Sequence, residues 1–173
     1  VNALGHAHPK LVKAIADQAG KLIHCSNLFY TAVQSELVTR LAALSGLERG
    51  FLANSGAEAN EGAMKLARKW ADVKDPGKKR IISAVHSFHG RTLATLTVTG
   101  QPKYQAGLSP LPAGFSYVTY GDLAELKAQM GKDVCAVMLE PIQGEGGVHV
   151  PEPGYLAAVK ALCDEYDALL IFD

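Results

Sequence analysis

A chain of 173 residues is long enough to bury a sizeable core, and the length suggests one domain. Lys+Arg and Asp+Glu both number 17, so the net charge is zero and no basic field points to nucleic acid or an anionic membrane. No stretch approaches the roughly 18 apolar residues of a membrane span and no signal peptide is evident; the three scattered cysteines, Cys25, Cys135 and Cys163, suit reduced thiols in a cytosolic protein rather than a redox or metal site.

In chain order, residues 1–8 are turn-like around Gly5, and Pro9 marks the start of an amphipathic helix over Leu11 to Leu22. His6 and His8 read as two loop histidines, because no third ligand stands at a telling spacing. Residues 25–30 are irregular and rather aromatic, and a second helix runs from about Gln34 to Leu44, ended by Gly46. A short apolar run from Phe51 breaks at Asn54-Ser55-Gly56 and becomes a helix reaching Trp70. Its face of Ala59, Ala63, Met64, Leu66, Ala67 and Trp70 is apolar, while Glu61, Lys65, Arg68 and Lys69 face away. That helix opens on small residues with free backbone N–H groups and the positive end of the helix dipole behind them, a ready anion seat. Ser55 can serve there as the cap or as a direct ligand.

Asp75-Pro76-Gly77 is a turn, and Lys78-Lys79-Arg80 reads as a solvated basic exit. Residues 81–85 form a buried strand ending at His86 to Thr92, and Leu93 to Val98 fits helix or strand equally. Residues 100–114, rich in Gly and Pro, are expected as a long surface loop, followed by a strand over Phe115 to Tyr120. Asp122 to Glu125 resembles a capping box opening a helix that Gly131 closes. Val134 to Leu139 is a second buried strand feeding the loop Glu140 to Gly147, Pro153 opens a helix to about Tyr166, and a last strand ends on Asp173. Short apolar strands alternating with helices predict an α/β fold with a largely parallel sheet flanked by helices. The start at Val1 without methionine, and the stop straight after an apolar strand, read as the edges of an internal fragment.

In such sheets ligands sit beyond the carboxyl ends of the strands, where Asn54 to Ala57, His86 to Arg91, Glu140 to Gly147 and Asp173 would converge. Familiar phosphate and nucleophile motifs fail here. No Gly-Lys-Ser/Thr follows Gly56, Gly144-Glu145-Gly146-Gly147 lacks the last glycine of the dinucleotide pattern, and Asn54-Ser55-Gly56 lacks the first glycine of a nucleophile elbow. What remains is an anion seat, an aromatic side chain, an arginine, two loop carboxylates and an acid at a strand end. A phosphorylated pyridine ring would use all of them: the helix start for phosphate, Phe88 over a ring face, and Asp173 on a pyridinium nitrogen. Charge-assisted bonds of that kind are worth roughly 1.5–3 kcal/mol each. Singly, Phe88 as core filler, Arg91 as a surface ion pair and Asp173 as a cap would be ordinary; together and in this order they point to the ring. His86 and His89 read as packing or hydrogen-bonding groups.

The segments Asn54 to Glu61, Ser87 to Thr92, Gly100-Gln101-Pro102-Lys103-Tyr104, Glu140 to Gly147 and Leu170 to Asp173 resemble the class III (ornithine-type) aminotransferases dependent on pyridoxal phosphate, along essentially the whole chain. The resemblance implies part of the large domain of a fold type I enzyme, with residues 1–173 its incomplete N-terminal half and no second domain. It implies that Ser55, Gly56 and Ala57 hold the cofactor phosphate, Phe88 stacks on the ring, Asp173 binds its nitrogen, and Glu140 orders the site. It implies Arg91 on the substrate α-carboxylate, Glu145 as a gate carboxylate, and Tyr30 bordering the substrate pocket. The Gly100 to Tyr104 segment points to the branch moving the δ-amino group of N-acetylornithine to 2-oxoglutarate in arginine biosynthesis. Relatives acting on 4-aminobutyrate, succinylornithine or ornithine share these motifs, and outside enzymes the alternative is a cofactor-free binding or dimerisation partner. The implied protein is a cytoplasmic homodimer with its site at the subunit interface. Its Schiff-base lysine is expected beyond Asp173, so the chain alone is expected to be inactive.

Overall fold

The computed structural model describes residues 2–26 and 28–173, which fall into two compact units, Val1–Phe51 and Leu52–Asp173. In the first, α1 (Pro9–Ala19) has proline in its first turn and ends at Ala19, three residues before the predicted Leu22. Helix α2 (Ala32–Ser45) starts at Thr31, whose hydroxyl accepts from the Gln34 N–H, and stops at Gly46, whose φ of 72° a side chain would resist. Neither helix has a buried residue.

The second unit is a four-stranded sheet with helices on both faces. Helix α3 (Gly56–Lys74) leads to β1 (Arg80–Ala84), and the short helices α4 (Leu93–Val98) and α5 (Pro102–Gln105) precede β2 (Phe115–Val118). Then come α6 (Leu123–Gln129), β3 (Val134–Leu139), α7 (Tyr155–Glu165) and β4 (Leu169–Phe172). All strands are parallel in the order β2-β1-β3-β4, with Ile82 opposite Ser116 and Val137, and Met138 opposite Ile171. Strand alternation sends Ile81, Ala136 and Met138 to the face covered by α3, and Ile82, Val137 and Leu139 to the face with Leu126, Val159 and Leu162 of α6 and α7. Because the chain runs from β1 to β2 on one side and places β3 on the other, a topological switch point lies between β1 and β3.

Several expectations change. The buried face of α3 is Asn60, Met64, Ala67 and Ala71, whereas Leu66 is 68% exposed. Residues 93–98 are helical: the Thr92 N–H donates to Thr95 Oγ1 at 3.0 Å, which starts the turn that the β-branched residues alone would not choose. Residues 100–114 are not all surface loop, since Gly100 and Gln101 are buried and α5 follows them. The basic run is a solvated exit only at Lys79, which is exposed. Lys78 is buried and donates to the Tyr166 carbonyl at 2.7 Å. Arg80 grips Asp133 with two nitrogens at 2.6 and 3.0 Å, and also donates to Ser116 Oγ and the Gln129 carbonyl. Its hydrogen bond holds the Asp133 carboxyl below the usual range, so this contribution to stability is lost as pH falls through that lowered value.

Candidate active site

The start of α3 is built by its sequence. Ser55 is extended and its hydroxyl accepts from the Glu58 N–H at 3.2 Å, while Glu58 reaches back to accept from the Asn54 N–H at 2.7 Å. Ser55 is thus the cap, and its own proton is left to donate elsewhere. The N–H groups of Gly56 and Ala57 have no acceptor among the described residues. A Cβ added at Gly56 would meet nothing within 4 Å, so this turn faces open space.

The β1 exit packs onto that turn through Gly90, where φ is +132° and an added Cβ would lie 2.8 Å from the Ala57 Cβ. At the β4 end, Asp173 Oδ2 accepts from Asn60 Nδ2 at 2.8 Å and lies 2.8 Å from His89 Nδ1. An ionised carboxylate only accepts, which places a proton on Nδ1, while Nε2 lies 3.2 Å from Ser83 Oγ. The His89 side chain is fully buried, and Asn60 also donates to the His89 carbonyl at 2.8 Å. Asp173 Oδ1 has no partner among the described residues. Glu140, at the end of β3, accepts from the Phe88 N–H at 3.2 Å and the Gly144 N–H at 3.3 Å, tying the β1 and β3 loops together.

These groups share one space. A cavity of about 550 Å³, within the range of small-molecule sites, is lined by Gly56, Ala57, Phe88, Arg91, Glu140 and Asp173, together with Asn60, His89 and Gly90. Of the other predicted residues, Ser55 caps the helix beside it. Glu145 accepts from Gln101 and Tyr104, and Arg91 stands 4.5 Å over the Tyr104 ring. Tyr30 belongs to the first unit, where its side chain is fully exposed. A larger hollow of about 660 Å³, bordered by His86, Tyr120, Asp122 and His149, gathers none of the predicted side chains. Sequence reading gave no role to Asn60, Gln101 or Tyr104. A polar residue at position 60, in step with Met64, Ala67 and Ala71 on the buried face, is the signal that marks the first.

The donor set suits a phosphorylated pyridine: two free amides and a hydroxyl at one end, an anchored carboxylate with a free oxygen at the other, and an aromatic side chain on the same cavity. The parallel sheet with its site at the strand ends is the architecture of fold type I pyridoxal-phosphate-dependent enzymes. Within that class the chain belongs to the class III aminotransferase family, whose model matches residues 1–173. It is 53% identical to the acetylornithine aminotransferase of Methanocaldococcus jannaschii over 175 residues, covering 100% of this chain and 44% of that protein. It is also 53% identical to the succinylornithine transaminase/acetylornithine aminotransferase of Pseudomonas aeruginosa, with coverage of 100% and 43%. The crystal structure of the ornithine aminotransferase from Toxoplasma gondii superposes with a TM-score of 0.91 at 37% identity, covering 98% of this chain and 41% of that one. The chain therefore spans less than half the length of these relatives.

Proposed function

We propose that the protein containing this chain is a pyridoxal-phosphate-dependent transaminase that moves the δ-amino group of N-acetylornithine to 2-oxoglutarate, a step of arginine biosynthesis. The observation that carries the reading is the common cavity of Gly56, Ala57, Phe88 and Asp173, which offers each end of the cofactor its chemical complement. In this reading the Gly56 and Ala57 amides and the Ser55 hydroxyl hold the phosphate at the positive end of α3. Phe88 faces the ring, and Glu140 keeps the Phe88 loop in place through its two amide contacts. Asp173 holds a proton on the pyridine nitrogen, and His89 and Asn60 keep its carboxylate aimed. When bound, the cofactor supplies the electron sink that makes a carbanion at the amine carbon accessible. Arg91 takes the α-carboxylate of N-acetylornithine, a bidentate task suited to guanidinium. Glu145 borders the substrate. The family resemblance implies a cytoplasmic homodimer.

The family likeness and the Methanocaldococcus jannaschii relative support N-acetylornithine, and the double name of the Pseudomonas aeruginosa relative supports succinylornithine as the second reading. The deciding measurement is kcat/KM of the full-length protein for N-acetylornithine, succinylornithine, ornithine and 4-aminobutyrate, each with 2-oxoglutarate. N-acetylornithine is expected to lead ornithine and 4-aminobutyrate by roughly tenfold or more. A lead for either of those overturns the substrate, and no glutamate from any donor overturns the transaminase.

A further inference from the structure

Helix α3 grips the loop after β1 on both sides of Arg91. Before it, Asn60 Nδ2 donates to the His89 carbonyl at 2.8 Å, and Gly90 leaves no room for a side chain against Ala57. After it, Thr92 Oγ1 donates to Glu61 Oε1 at 2.5 Å. Glu61, expected to face away, is thus turned onto the loop, and residues 57, 60 and 61 fall on one side of the helix. Thr92 is also held from the far side. The fully buried Thr95 has its Oγ1 2.7 Å from Thr92 Oγ1, and the same atom accepts from the Thr92 N–H at 3.0 Å. The helix that makes these contacts carries the amides of Gly56 and Ala57 at its start. The offset between α3 and the loop is therefore also the offset between the anion seat and Arg91.

We propose that Glu61, acting through Thr92, is a positioning residue that fixes the spacing between the anion seat and Arg91, and thereby the length of amine donor the site accepts. The inference rests on the reading of Arg91 as the anchor of the donor's α-carboxylate. A donor held there must place its amine at a cofactor fixed to α3 by its phosphate, so the number of carbons between carboxylate and amine has to match the spacing. A fitted site discriminates one methylene by roughly 10–200-fold, and a misplacement of about 1 Å costs about 100-fold in rate. A loop released from Glu61 lets Arg91 follow a longer donor. Release therefore flattens the length preference rather than abolishing turnover.

The test uses the full-length holoenzyme and three donors: N-acetylornithine, Nα-acetyllysine, which is one methylene longer, and N-acetyl-1,4-diaminobutane, which is N-acetylornithine without its carboxylate. The kcat/KM ratio of N-acetylornithine to Nα-acetyllysine is expected to fall by roughly threefold or more in Glu61→Ala and in Thr92→Val. The double variant should do no more than the larger single one, and Thr92→Ser, which keeps the hydroxyl, should restore the ratio. N-acetyl-1,4-diaminobutane, having nothing for Arg91 to hold, should lose little in any of them. Amide hydrogen exchange of residues 89–95, a readout independent of turnover, should quicken in both single variants. Thr92→Val is close in size to the native residue and carries the comparison if Glu61→Ala does not fold. Equal losses for all three donors mean a structural role and overturn the inference, as does exchange that stays slow. The reading beneath it is checked by Arg91→Ala, which should cost N-acetylornithine far more than its decarboxylated analogue. If that holds and the length ratio stays fixed in the clasp variants, only the spacing role falls; if Arg91→Ala treats the two donors alike, the carboxylate anchor falls and takes the inference with it.

Discussion

At one end of the cavity the groups offered are main-chain amides, those of Gly56 and Ala57 on an exposed helix start. At the other end a side chain, Asp173, is held by Asn60 and by the fully buried His89, which come from α3 and the β1 exit. The first end depends on a backbone shape that many side chains tolerate. The second depends on three particular side chains separated by up to 113 positions in sequence. Substitutions should therefore hurt unequally.

The largest effect is expected from Asp173→Asn in the full-length protein: turnover falls about 100-fold or more, while cofactor retained after dialysis falls much less. Equal losses of turnover and retention would erase the distinction between an electronic and a merely binding end. Next comes Asn60→Ala, which leaves the His89 carbonyl and the Asp173 carboxylate each short of a donor. It should cost about 1–3 kcal/mol in urea denaturation, and a cost near zero would mean that Asp173 is held by His89 alone. The smallest is Ser55→Ala, which removes the cap bond to Glu58 for about 1 kcal/mol but leaves both free amides. Cofactor retention, measured by the same dialysis, should then fall by only a few-fold; complete loss would show that the hydroxyl and not the backbone is the phosphate's main anchor.

The amide end was legible in sequence because its signal is local: an apolar run, Asn-Ser-Gly, then a helical repeat. The strands were legible for the same reason, and residues 134–139 came out as drawn because burial on both faces leaves a continuous apolar run. Asp173 and Glu140 could be named from their positions just after strands. What holds them could not, since nothing near Asn60 or His89 in sequence announces a partner at position 173. Helix α4 was ambiguous because threonines favour strands until one of them caps a turn. The buried Lys78 defied a charge-run rule because its ammonium finds a carbonyl, that of Tyr166, to donate to. Gln101 and Tyr104 were hidden by glycines and prolines that made their neighbourhood look like solvent-facing chain.

Arg80 enters β1 at the rim opposite the cavity and binds groups from β2, the end of α6 and the turn before β3. The fastening of the sheet and its chemistry thus occupy opposite tips of the same strands. Sequence drift around that guanidinium can loosen or tighten the closure while the acids at the far tips keep their aim, so this architecture lets durability and specificity evolve with little interference.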